Sequence, residues 1–317
     1  MPAMKAAARF AISAFILATA FVPPLCAQGS SQNQSPEIDA VKQGMQMERD
    51  GKLNDALALY ENSLKTMPKS YALNLATGGV LDLLGRNGEA RDYFEKAVAS
   101  ADSPQYKAMA QRSIAMSYAF QADCKQAAAA EEDVFNYYVS TGDFYQQGEM
   151  SDEAARVCLD AGDFDAAEKL YRRGRDVGMQ EKDIKPARVD LWNFRWENAE
   201  ARLAARRGNH DEAEKHVAAA KAILDKGTNP EQAPFMPALV GYVDFYGGDY
   251  EAALEQFQQA NQRDAFIQCM MAQSYEKLGQ KDKAIEFYQK AGGALSHNPP
   301  AAYAVPLSKK RLAELQN

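Results

Sequence analysis

The chain has 317 residues, 46% of them hydrophobic and 25% charged, with a net charge of -7 at pH 7. That composition is ordinary for a folded globular protein, and a mean hydropathy of -0.46 leaves no room for a polytopic membrane protein. The acidic balance gives no general electrostatic attraction to nucleic acid or anionic lipid, so neither is an expected partner.

The first element stands apart from the fold. Lys5 and Arg9 form a basic start, residues 10–22 are mostly apolar, Pro23 and Pro24 break the run, and Leu25-Cys26-Ala27 offers a cleavage site before Gln28. This is the pattern of a secretory signal peptide over 1–27, and it places the mature protein in the periplasm or outside the cell. The apolar run is too short to span a bilayer comfortably, so no transmembrane span is expected in the mature chain. Cleavage removes two basic residues and no acid, taking the charge from -7 to -9. Lipid anchoring at Cys26 is the alternative, although bulky Leu25 and the two prolines before it make a poor lipidation site. Residues 28–36, rich in Ser and Gln, read as a flexible leader.

Beyond the leader the chain repeats itself. Alanines stand at Ala56, Ala90, Ala127, Ala167, Ala213, Ala253 and Ala284, and the residues at fixed offsets from them test for a period. Five positions earlier come Gly51, Gly85, Ala122, Gly162, Gly208, Gly248 and Gly279, six of the seven glycine in a chain with 20 glycines. Twelve positions earlier every residue is Gly or Ala. Four positions later Tyr60, Phe94, Tyr171, Phe257 and Tyr288 are aromatic, and only Glu131 and Val217 are not. Seven positions later, all but Val134 are small.

With Pro68 closing the first unit, this pattern resembles the tetratricopeptide repeat, a unit of about 34 residues. The resemblance implies an all-α fold: a right-handed superhelical solenoid of about seven antiparallel helix pairs with a C-terminal capping helix. Units fall near 37–70, 71–104, 108–141, 148–181, 194–227, 234–267 and 265–298 of a solenoid over 37–299, and 300–317 forms the cap. Small residues let paired helices approach, the glycine ends the first helix in a left-handed conformation, and the aromatic fills the space between units. The third unit matches least well, with Ala122 for glycine and Glu131 for the aromatic. The spacing of the anchors is irregular. Pro186 is expected to start a lengthened helix through Trp192 and Trp196, and Pro230, Pro234 and Pro237 mark an ordered loop. Gly142-Asp143-Phe144 echoes Gly162-Asp163-Phe164, which leaves the boundaries between residues 105 and 165 open.

No phosphate loop, nucleophile-elbow serine, His-Glu-x-x-His stretch or calcium loop is present. His210 and His216 are six apart, on different helix faces, and His297 falls in the closing loop, so no metal, cofactor or catalytic residue is expected. In the repeat frame Cys124 starts one second helix and Cys158 ends the next first helix. Antiparallel stacking brings those ends together, so two readings stand: a Cys124–Cys158 disulfide, as an oxidising compartment allows, or Cys124, Cys158 and Cys269 as three separate small core residues.

The resemblance also implies that first helices line a concave groove. The fifth unit then offers Arg195, Asn198, Arg202 and Arg206 to it, and the sixth and seventh offer Phe235, Tyr242, Phe245, Tyr246 and Phe266. A basic strip beside an aromatic strip suits an extended peptide or protein tail bearing a carboxylate. The sequence therefore reads as a non-enzymatic protein–protein interaction scaffold of the cell envelope or secreted space. Two alternatives stand beside it: a lipid-anchored envelope assembly or secretion factor, and a solute-binding protein or enzyme using the groove as a pocket.

Overall fold

The computed structural model describes residues 35–316; the expected signal segment 1–27 and the leader up to residue 34 lie outside the described residues. The described chain is helical from end to end. The first four pairs are α1 (Pro36–Arg49) with α2 (Leu53–Leu64), α3 (Tyr71–Leu83) with α4 (Asn87–Ser100), α5 (Pro104–Ala119) with α6 (Cys124–Thr141), and α7 (Phe144–Ala161) with α8 (Phe164–Gly178). After them come α9 (Pro186–Arg206) with α10 (His210–Leu224), and a 3-10 turn over Pro230–Phe235. The array ends with α11 (Met236–Gly247) and α12 (Tyr250–Gln259), α13 (Ala265–Lys277) and α14 (Lys281–Gly292), and a single closing helix, α15 (Pro299–Gln316). Each helix packs against the next.

Helices pair here because the anchor alanines present almost no side chain. All seven are between 0% and 2% exposed. Opposite them the glycines admit rings: a Cβ built on Gly44 would stand 2.1 Å from Tyr60, and one built on Gly78 would stand 2.4 Å from Phe94. Tyr60 and Phe94 are themselves 0% and 1% exposed, so neither ring has anywhere to go. Next to Gly78, Gly79 has open space where a Cβ would point. The two neighbours therefore make opposite predictions. Gly78→Ala is expected to cost about 1–3 kcal/mol through overpacking, despite the better helix propensity of alanine. Gly79→Ala is expected to stabilise by up to about 1 kcal/mol. Urea unfolding of the two variants checks both signs.

Turns between helices use one recurring device. Gly142, Gly162 and Gly248 take φ of +70°, +89° and +91° and end a helix, and the aspartate that follows each caps the next one. Asp143 accepts from the Gln146 amide, Asp163 from Ala166 and Asp249 from Ala252. The Gly-Asp-Phe at 142–144 joins α6 to α7, between pairs, whereas that at 162–164 joins α7 to α8, within a pair. In the third unit Ala122 occupies the left-handed position with φ +55°, a conformation costing an L-residue about 1–2 kcal/mol relative to glycine.

The irregular anchor spacing is absorbed as extra helix. α5 opens at Pro104, α7 at Phe144 and α9 at Pro186, each ahead of the unit starts at 108, 148 and 194 read from the sequence. α9 reaches 21 residues, and its added turns carry Trp192, 0% exposed, into notches at Gly148 and Gly178. Cys124 at the head of α6 is bonded to Cys158 in α7, with Cα atoms 4.6 Å apart.

α15 does more than cover the last pair. Besides α13 and α14 it packs on α5 and α7, and Ala301, Ala302 and Val305 share an apolar cluster with Leu83, Met116, Phe120 and Val157. Ahead of it, His297 stacks on Phe120, with ring centroids 5.4 Å apart. Its Nε2 lies 2.8 Å from Asp82 Oδ2. Asp82 is fully buried and also accepts from Asn87 and Ser117. Lys309 donates to the Leu83 carbonyl. The closing helix and the loop before it are thereby tied to α3 and α5.

Candidate functional site

The face of interest is built from odd-numbered helices. On α9, Arg195, Asn198, Arg202 and Arg206 recur at steps of three and four, the spacing of one helix face. On α11, Tyr242 and Tyr246 do the same. Facing them are Phe266 from α13, Arg156 and Asp160 from α7, and Tyr303 from α15.

Arg202 is the centre of this arrangement. Its guanidinium lies 4.8 Å from the Tyr242 ring centroid and 5.6 Å from that of Phe266. No carboxylate forms an ion pair with it among the described residues. Burial, followed by repulsion from Arg156, holds its pKa below the ordinary arginine value. Arg156 lies 4.2 Å from the same Phe266 ring and donates to Asp160 at 2.8 Å. Burial is the largest single influence and opposes its charge, but Asp160 together with Tyr171 and Tyr242 raises its pKa. Arg206 covers Tyr246 and Phe164, each at 5.1 Å, and likewise forms no ion pair with a carboxylate. Arg156 Nη2 and Asp160 Oδ1 are both buried without a hydrogen-bond partner, and the Tyr242 hydroxyl lies toward Arg206. Cationic groups therefore outnumber anionic ones in a desolvated space floored by aromatic rings.

The structure brings Arg202, Arg206, Tyr242, Tyr246 and Phe266 together and parts the others from them. Arg195 is neutralised by Glu149 and lies over Tyr145 and Trp192. Asn198 is half-buried on the same helix face. Phe235 sits on the 3-10 turn with 54% of its surface exposed. Phe245 is buried against Tyr250 of α12, inside its own pair. Arg156, Asp160 and Tyr303 were missed from the sequence. The frame that selects Arg202 also selects Arg156 and Asp160 when applied to the fourth unit, whereas nothing local marks Tyr303.

Two carboxyls on α6 and α7 are also perturbed. Burial pushes Asp152 up to about 8, with Arg195 pulling it down and Glu149 pushing it further up. Glu131, 3% exposed and without a hydrogen-bond partner, is raised well above the carboxylate range by burial and then by Glu153, which itself pairs with Arg112. Among the described residues no three His, Cys, Asp or Glu side chains gather as a metal site. His210 and His216 instead pair with Glu214 and Glu197. No described helix is long and apolar enough to cross a membrane.

Comparison with known proteins now bears on this geometry. Tetratricopeptide-repeat family models match residues 49–112 and 267–291. The chain carries tetratricopeptide repeats over these two stretches. Its build is that of a general protein–protein interaction scaffold. Among solved structures, the apo form of RapI is similar over 88% of this chain and 99% of its own, with 12% identity and a TM-score of 0.51. A tetratricopeptide repeat protein from Parabacteroides merdae ATCC 43184 is similar over 89% of this chain and 99% of its own, with 14% identity and a TM-score of 0.48. At such identities the likeness concerns the tetratricopeptide fold alone. No curated protein matches the chain significantly.

Proposed function

We propose that the protein is a non-enzymatic scaffold, exported to the cell envelope or secreted, that binds a carboxylate-bearing segment of a partner protein on the face formed by α7, α9, α11 and α13. One observation carries this reading: Arg202 and Arg206 are held on aromatic rings without a carboxylate of their own. A buried guanidinium that forms no ion pair is costly, and a ligand carboxylate relieves the cost in bidentate geometry. Export is supported by the basic–apolar start of the chain and by the Cys124–Cys158 bond, which belongs to oxidising compartments.

The test is covalent capture from envelope extract by the wild-type protein and by Arg202→Gln with Arg206→Gln. We expect the variant to keep its thermal unfolding temperature and to lose about tenfold or more of its partner yield, the worth of a charge-assisted contact. The same partners recovered in the same amounts would end the reading.

A further inference from the structure

In five of the seven units a ring stands four positions after the anchor alanine, and those rings, Tyr60, Phe94, Tyr171, Phe257 and Tyr288, are all buried. The third unit puts a carboxyl there instead. Glu131 on α6 is 3% exposed, and neither of its oxygens has a hydrogen-bond partner among the described residues. Two neighbouring helices present charge to it, Arg112 from α5 and Glu153 from α7. These two are joined by paired hydrogen bonds of 2.7 and 2.6 Å. Glu153 thus takes the donors nearest to Glu131. On α6 itself the Tyr138 phenol lies near the same guanidinium, and Arg173 of α8 is occupied by Glu132.

An ionised carboxylate without a donor is costly in such a place, whereas the protonated acid is neutral. Burial first and Glu153 second push the Glu131 carboxyl well above its ordinary value, with Arg112 pulling against them. Packing the third pair on the fourth therefore takes up one proton, and parting them returns it to water. Two of the links across this seam are easily broken. Arg112–Glu153 and Arg173–Glu132 are ion pairs with partly exposed members, whose bonds water can replace. A third link is covalent: Cys124, about two turns before Glu131 on α6, is bonded to Cys158 of α7. α15 also touches both α5 and α7, so parting is confined to the surroundings of Glu131.

We propose that the seam between the third and fourth pairs is controlled by a proton, closed while Glu131 carries it and parting locally as it leaves, with the Cys124–Cys158 bond restraining the movement. Stability from the closed seam is full at acid pH. It is lost as pH rises from the ordinary carboxylate range through the raised value of Glu131. A rise in pH, not acidification, loosens the array here.

Cys158 supplies the readout, because it is 0% exposed and lies in the seam. In a Cys124→Ala variant its thiol should react with a maleimide only when the seam parts, with mass spectrometry locating the label. Rates are compared at each pH with those of Cys124→Ala combined with Glu131→Gln, which cancels the reagent's own pH dependence. The ratio should rise by at least about tenfold between about pH 5 and about pH 8, the linkage of one proton. Cys269, also 0% exposed but on α13, should keep a constant ratio. Glu131→Leu should act as Glu131→Gln does, with circular dichroism confirming the fold of each variant. A flat Cys158 ratio overturns the proposal, as does an equal rise at Cys269, which marks global unfolding. The bonded chain offers a check that alters no cysteine. Wild type should lose resistance to urea relative to Glu131→Gln over the same pH range, and a constant difference would show that Glu131 takes up no proton on folding. Amide exchange at Ala155 in these two bonded proteins should respond to pH less than it does in the Cys124→Ala pair; an equal response would overturn the restraint by the bond.

Discussion

Trp192→Ala is expected to destabilise the protein by about 3–5 kcal/mol, the range for deleting a fully buried aromatic side chain. Trp192 is 0% exposed and projects from the added turns of α9 into the preceding pair. The ring occupies the space where Gly148 and Gly178 would carry a Cβ, at 2.3 and 2.1 Å from its atoms. Nothing else can fill both notches, so the surrounding helices would have to collapse into them or leave a void. Tyr145 and Arg195, which lie against the ring, would lose their support as well. Chemical denaturation checks this through the midpoint at unchanged slope. A loss below about 1 kcal/mol would mean that α9 is not anchored through this residue.

The second large effect is expected from the cross-link. Replacing both Cys124 and Cys158 by alanine should cost about 3–4 kcal/mol, the loop-entropy value for a bridge spanning 34 residues. Because Cys158 is 0% exposed, reductant should act on the wild type slowly under native conditions and rapidly once the chain is unfolded. Thermal unfolding of wild type with reductant should then approach that of the double variant. Thiol counting on the denatured, unreduced chain from residue 28 onward should find Cys269 alone. Coincident melts with and without reductant, together with three reactive thiols, would contradict the bond.

How much of this was legible depended on how far each cause extends along the chain. The alanine at Ala56 and its six counterparts must be small because two helices of one pair touch there, and a requirement inside one pair repeats with the pair. Buried aromatics such as Tyr60 and Tyr288 were readable for the same reason. Each ring's hydroxyl even bonds the glutamate twelve residues before it, Glu48 and Glu276. Unit boundaries near 142 were harder. A Gly-Asp-Phe turn satisfies the last carbonyls of one helix and the first amides of the next, chemistry that does not distinguish a turn inside a pair from one between pairs. The groove was readable only where the frame was carried through: the arginines of α9 were found, Arg156 of α7 was not. Tyr303 and the return of α15 follow from rotation accumulated over seven pairs, which no window of sequence contains.

That return changes how the molecule can vary. An open array of stacked units responds to each neighbour separately, so units can be gained, lost or melted from an end with little consequence for the rest. Here His297 must arrive at Asp82 and Ala302 at Phe120, contacts about 200 residues apart in sequence. One inserted or deleted pair would carry α15 past its landing place. Unit number is thus locked to pitch, and unfolding should proceed as one cooperative event rather than by fraying from the termini.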